Sequence, residues 1–117
     1  MIDTNNIINE RYQSVKLAVA LRTARSVVGW SQGELASYSR VPKVTIARFE
    51  TLEGNLRADQ LQTLLDIYAS MGVRIVLTEE PGFRIEVKKR MLELAGERLA
   101  DDANARSDRK RGKRRLQ

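Results

Sequence analysis

The sequence predicts a mainly α fold: a four- to five-helix unit, then a short β-strand or hairpin, then a C-terminal helix. Three observations lead there. Apolar residues recur at helical spacing through residues 9–71, the mark of helices with one buried face. Near the middle, Ser31, Glu34 and Pro42 delimit two very short helices. From residue 73 the period changes to alternation, with β-branched residues enriched, which suits a strand.

The elements follow in order. Residues 1–8 read as an arm or a frayed lead-in. Over residues 9–28, Tyr12, Val15, Leu17, Val19, Leu21, Ala24 and Val28 form a helical pattern that ends at Gly29, a residue suited to stopping a helix. Ser31 and Glu34 stand three apart, so hydroxyl and carboxylate can each satisfy the other residue's orphan amide in a capping box. A helix is therefore expected from about Gln32, with Leu35 and Ala36 facing inward. Pro42 forbids its continuation and holds Val41 extended, yet proline is tolerated in a first turn. A second short helix can begin at once, with Ile46 and Phe49 as its core face. Two such helices joined tightly, with small Ala36 at the crossing, read as a helix-turn-helix.

After a turn at residues 51–55, a helix is expected from near Asn55 or Asp59, where Asp59 and Gln62 can form another capping box. Leu61, Leu64, Leu65 and Tyr68 give it an apolar face, and Gly72 stops it. Residues 73–78 are the strand, with Val73, Ile75 and Leu77 on one side. Residues 83–87 fit either a second strand or the start of the last helix. A lone strand is unstable in water, and the cheapest partner is the same strand in a second subunit; packing on its own domain is the alternative. Residues 86–103 read as a helix with a stripe at Val87, Met91, Leu94 or Ala95, and Leu99. From Asn104 onward the run is charged without apolar spacing, and disorder is expected. The last helix can be a dimer contact or a cover for the strand, so the organisation is a helix-turn-helix domain over 1–72, a strand-plus-helix dimerisation extension over 73–103 and a basic disordered tail over 104–117.

Composition narrows the functional classes. The formal net charge is +6, with no Cys and no His. That removes disulfides, thiolate metal sites, the commonest metal ligand and the commonest general base. No glycine-rich phosphate loop and no paired-carboxylate constellation stand out, so neither an enzyme nor a cofactor or metal site is expected. There is no signal-peptide pattern and no apolar run of membrane-spanning length, so the expected location is cytoplasmic. Residues 1–105 carry 14 basic and 14 acidic side chains, and the +6 resides wholly in residues 106–117. That tail, including Arg109, Lys110, Arg111 and Lys113, can neutralise phosphates without reading sequence and would steepen the salt dependence of binding; a solubilising terminus or an acidic-partner contact is the plainer alternative.

Residues Gly29-Trp30-Ser31-Gln32, Glu34-Leu35-Ala36, Val41, Thr45-Ile46 and Glu50 carry a resemblance. Over roughly residues 11–71 the chain resembles the lambda-repressor-like (Cro/C1, XRE) DNA-binding domains, aligned without a gap. One departure is Arg40, at a turn position often occupied by glycine, where a left-handed backbone would carry a cost. The resemblance implies that Arg25 pairs with Glu50 as a structural bridge, and that Lys43, Val44 and Arg48, with Thr45 at the margin, face bases. Those residue types suit base edges. Arg48 can donate twice to guanine, Lys43 to guanine or phosphate, and Val44 can meet a thymine methyl. Gln32 is implied as a backbone-phosphate ligand, with Ser31 and nearby amides adding donors. Trp30 reads as a packing residue. The order of a helix-turn-helix followed by one strand also resembles, more loosely, HipB-type antitoxins, whose strands pair across a dimer; this implies dimerisation through Val73, Ile75 and Leu77.

The expected function is a transcriptional regulator, more readily a repressor than an activator, binding a palindromic double-stranded operator as a nucleoid-associated homodimer. An antitoxin that neutralises a toxin protein and autoregulates its operon is the alternative. An RNA adaptor using the basic tail leaves the recognition helix unexplained.

Overall fold

In the computed structural model, backbone is described for residues 4–77 and 81–115, and side chains for residues 11–77 and 81–105. The elements are α1 (Thr4–Val28), α2 (Gln32–Ser39), α3 (Lys43–Glu50), α4 (Ala58–Ser70), β1 (Val73–Val76), β2 (Arg84–Val87) and α5 (Lys89–Arg115). The protein is mainly helical with one antiparallel hairpin.

Helix α1 starts at Thr4, earlier than the apolar pattern alone indicates. Its buried face is Ala18, Leu21, Ala24 and Val28, whereas Tyr12 and Val19 are exposed. The buried stripe is therefore rotated from the expected one: small alanines face the core because α3 and the hairpin lie close against this helix. Lys16 is also buried. At the far end, Gly29 takes φ +83° and its amide returns to the Arg25 carbonyl at 2.9 Å. That backbone favours glycine strongly.

Helix α2 has the expected capping box: Glu34 N donates to Ser31 Oγ at 3.0 Å, and Ser31 N donates to Glu34 Oε1 at 3.1 Å. It terminates at Arg40 with φ 62° and ψ 10°, the left-handed cap. Val41 then drops into the core, its amide held by Ser39 Oγ at 3.1 Å. Pro42 is the N-cap of α3. Leu35 and Ile46, at 1 % and 2 % exposure, join α2 and α3 to one core with Leu21, Phe49, Leu64, Tyr68 and Val73. Each such side chain contributes about 1.5–3 kcal/mol relative to exposure.

The start of α4 differs from expectation. Its N-cap is Arg57, whose amide donates to Gln60 Oε1 at 3.0 Å. Asp59 instead accepts from the Arg57 guanidinium at 3.1 Å, and Gln62 donates to Asp66 at 2.8 Å. The Arg57 contact holds the Asp59 carboxyl below its ordinary pKa. Gly72, with φ +84°, ends this segment and leads into β1.

Residues 84–87 are a strand, which settles the open choice for that segment. Val73 pairs with Val87, Arg74 with Glu86, Ile75 with Ile85 and Val76 with Arg84. The partner of β1 is thus supplied by the same chain. Val73 is 0 % exposed, its side chain buried within its own domain; Ile75 is half-buried, and Leu77 lies exposed just past the strand. At the hairpin tip Gly82 N donates to Tyr12 Oη at 2.8 Å, tying the hairpin to α1.

Helix α5 begins at Lys89, since Glu86 and Val87 belong to β2, and it runs on to Arg115. The disorder expected from Asn104 gives way to helix. The run holds Ala and Arg, good helix formers, and no proline, and its one glycine, Gly112, is a penalty of about 1 kcal/mol rather than a break. Its inward residues are Met91, buried, Ala95, half-buried, and Arg98. Leu94 and Leu99 point outward, at 37 % and 64 % exposure. Among the described residues no helix is long and apolar enough to cross a membrane.

Candidate nucleic-acid interface

Helix α3 has two faces set by its periodicity. Ile46 and Phe49 are buried and fix its orientation. Lys43, Val44 and Arg48 are exposed together on the other side, with Thr45 partly covered. Val44 is 57 % exposed, so its methyl groups lie open beside the two cations. Among the described residues neither Lys43 nor Arg48 joins a salt bridge. The face therefore offers two cations and a methyl surface, which is the donor and apolar set that base edges accept. The following turn closes against the base of Arg48: Glu53 N donates to the Arg48 carbonyl at 2.7 Å.

The far end of α3 is held by a buried polar cluster. The Arg25 guanidinium grips Glu50 with two parallel bonds, Nε to Oε2 at 2.9 Å and Nη2 to Oε1 at 2.7 Å. Its third nitrogen donates to the Trp30 carbonyl at 3.0 Å. The Glu50 side chain is only 4 % exposed and Arg25 20 %. Hydrogen bonding to Glu50 raises the Arg25 pKa above its ordinary value against the opposing effect of burial. Arg22 stands farther off, 4.0 Å from Glu50 and largely in solvent. One residue thus ties α1, the α1–α2 turn and α3 together, and the planar fork of arginine is what permits three contacts at once.

Gln32 is tied to the same cluster. Its Nε2 donates to Glu50 Oε1 at 3.1 Å, so one of the two N–H donors of this amide is turned into the cluster. Ser31 Oγ is likewise used as an acceptor in the capping box. The first turn of α2 still brings these two residues beside α3, and the second Gln32 N–H, the Ser31 O–H and the backbone amides remain as donors for an anion there. Trp30 packs as expected: its ring stacks on Tyr38 with centroids 4.6 Å apart and lies 6.5 Å from Tyr68. Tyr68 is buried, and its hydroxyl has no hydrogen-bond partner among the described residues. Burial first, and then the charge of Glu50, push its pKa well above the ordinary tyrosine value.

Two residues of this site lie outside the reach of sequence reasoning. Arg98 of α5 donates from Nη2 to the carbonyls of Ser26 and Val27 at 3.0 and 3.1 Å. It caps the C-terminal end of α1, where a cation is favoured by the helix dipole, and its guanidinium fills the space beside Gly29 where a Cβ would stand. No local signal marks a contact spanning 72 residues. The second is Tyr68, legible as a core residue but not as a neighbour of Glu50. The side chains of Arg109, Lys110, Arg111 and Lys113 lie outside those described; the backbone of α5 passes through them.

Comparisons with protein-family models, with curated proteins and with solved structures find no match to this chain.

Proposed function

We propose that the protein is a sequence-specific double-stranded DNA-binding regulator that acts as a homodimer on a palindromic operator, in the cytoplasm and in association with the nucleoid. One observation carries this reading. An eight-residue helix, locked at its end through Glu50, turns Lys43, Val44 and Arg48 outward, and neither cation has a salt bridge among the described residues. A helix of this length fits the major groove, and its N-terminal residues are those that reach base edges. Phosphates flanking the groove would be met by the first-turn amides of α2 and by the basic run at 106–115, which supply affinity without sequence information. Repression follows from occupying the operator.

The test is selection of bound duplexes from a random pool, followed by footprinting on the DNA upstream of the protein's own gene. A protected palindrome with half-sites about one helical turn apart supports the reading. Equal, salt-sensitive binding to every duplex refutes base readout by α3.

A further inference from the structure

We propose that a second copy of this chain pairs antiparallel along the outward face of α5, through Leu92, Gly96, Leu99 and Ala103. These residues are spaced 4, 3 and 4 apart, so they fall in one narrow stripe, the pattern of a helix–helix seam. The stripe lies roughly 100° round the helix from the face that Met91, Ala95 and Arg98 turn towards α1 and the core. It stands open to solvent. Leu92 is 57 % and Leu99 64 % exposed, and a Cβ added at Gly96 would meet nothing within 4 Å. Ala103 is exposed as well.

The identity of the occupant comes from the order of large and small residues. A two-fold axis between residues 97 and 98 sets Leu92 opposite Ala103 and Gly96 opposite Leu99, so every leucine meets a small residue on the other copy. An isologous contact requires this self-complementarity. It also accounts for Gly96. A glycine in a helix interior costs about 0.5–1 kcal/mol against alanine; here it makes room for the second copy's Leu99 side chain. The same axis brings Glu97 of one copy level with Arg98 of the other, but Arg98 is turned inward onto the Ser26 and Val27 carbonyls and adds no pair across the seam. Glu93 comes level with Asp102, but both are exposed, so solvent and salt screen that repulsion. The contact is short, and falls below the roughly 1,200–2,000 Å² of stable interfaces. The dimer is accordingly weak, and tightens when both copies sit on one DNA.

This pairing deepens the homodimer proposed above and rests on that reading for a second copy, but it is tested without DNA. Sedimentation equilibrium of the full chain is expected to give a concentration-dependent monomer–dimer equilibrium. The exposed double substitution Leu92→Lys with Leu99→Lys should leave the circular dichroism unchanged and raise the dissociation constant at least about tenfold. Register is read by crosslinking, since the chain has no native cysteine. Mixing Gly96→Cys chains with Leu99→Cys chains should give the mixed disulfide in preference to either self-crosslink, because only that pair comes within bonding reach. A monomer at all concentrations, a dimer indifferent to the lysines, or self-crosslinks equal to the mixed one would each overturn the pairing. Operator footprinting tests DNA recognition separately, so the two readings can fail independently.

Discussion

Removing Arg25 isolates a carboxylate in the interior, and the cost follows from its surroundings. In Arg25→Met, Glu50 loses both guanidinium bonds while its side chain stays 4 % exposed. Breaking one partner from a buried ion pair costs about 3–5 kcal/mol. Two neighbours soften this: Gln32 still donates at 3.1 Å, and Arg22 stands at 4.0 Å. The expected loss is therefore near the lower end, about 3 kcal/mol. Against a total of about 6–17 kcal/mol for a chain of this length, the variant stays folded at room temperature. With a urea slope of ~1.5 kcal/mol/M the midpoint should fall by about 2 M. The single tryptophan, Trp30, stacked on Tyr38 beside this cluster, is the fluorescence probe. A second variant separates the pair from packing. Arg25→Met combined with Glu50→Leu removes both charges and should recover most of the loss, because a hydrophobic replacement of a buried pair is often neutral or better. A loss under about 1 kcal/mol in the single variant, or a double variant as unstable as the single, would refute the view that Glu50 is a buried charge dependent on Arg25.

Four further outcomes are expected. Arg40→Gly relieves a left-handed cap at φ 62° and should stabilise by about 0.5–1 kcal/mol in the same urea titration, the relief of strain being partly offset by unfolded-state entropy. Gly29→Ala meets both φ +83° and the Arg98 guanidinium; it should destabilise by more than ~1 kcal/mol, and Arg98→Ala in the same chain should return part of that. Arg48→Ala should leave the melting temperature unchanged while weakening operator binding by about 1–3 kcal/mol and relaxing one base pair per half-site, as read by gel shift across operator variants. Tyr68→Phe bears on alkaline stability. The folded-state pKa of Tyr68 is raised, so its contribution is fully present below the unfolded value of about 10 and is lost as pH rises above it. Phenylalanine should abolish that part of the alkaline decline in urea midpoints measured across pH. By removing an unpaired buried hydroxyl, it should cost little at neutral pH.

Much of the fold is legible because its signals are local. Ser31 and Glu34 specify a helix start through bonds made within four residues, Pro42 separates α2 from α3, and Gly29 and Gly72 mark where the chain must reverse. The outward set on α3 is legible for the same reason: with Ile46 and Phe49 inward, a period of 3.6 leaves Lys43, Val44 and Arg48 outside. Arg25 and Glu50 can be matched only through a resemblance, since 25 residues separate them. What the tertiary structure alone decided is which partner each ambiguous group takes. Residues 84–87 suit strand or helix until β1 lies beside them, and Val73 can serve a core or an interface until α1 and α4 enclose it. The Gln32 amide could reach solvent or Glu50, and the buried carboxylate is the nearer acceptor. Arg98 is one basic residue among many in the sequence; only the crossing of α5 over the end of α1 brings it to two orphan carbonyls. Local chemistry determined the boundaries around α2 and α3, while long-range packing settled β2 and chose which polar groups would be spent inside the molecule.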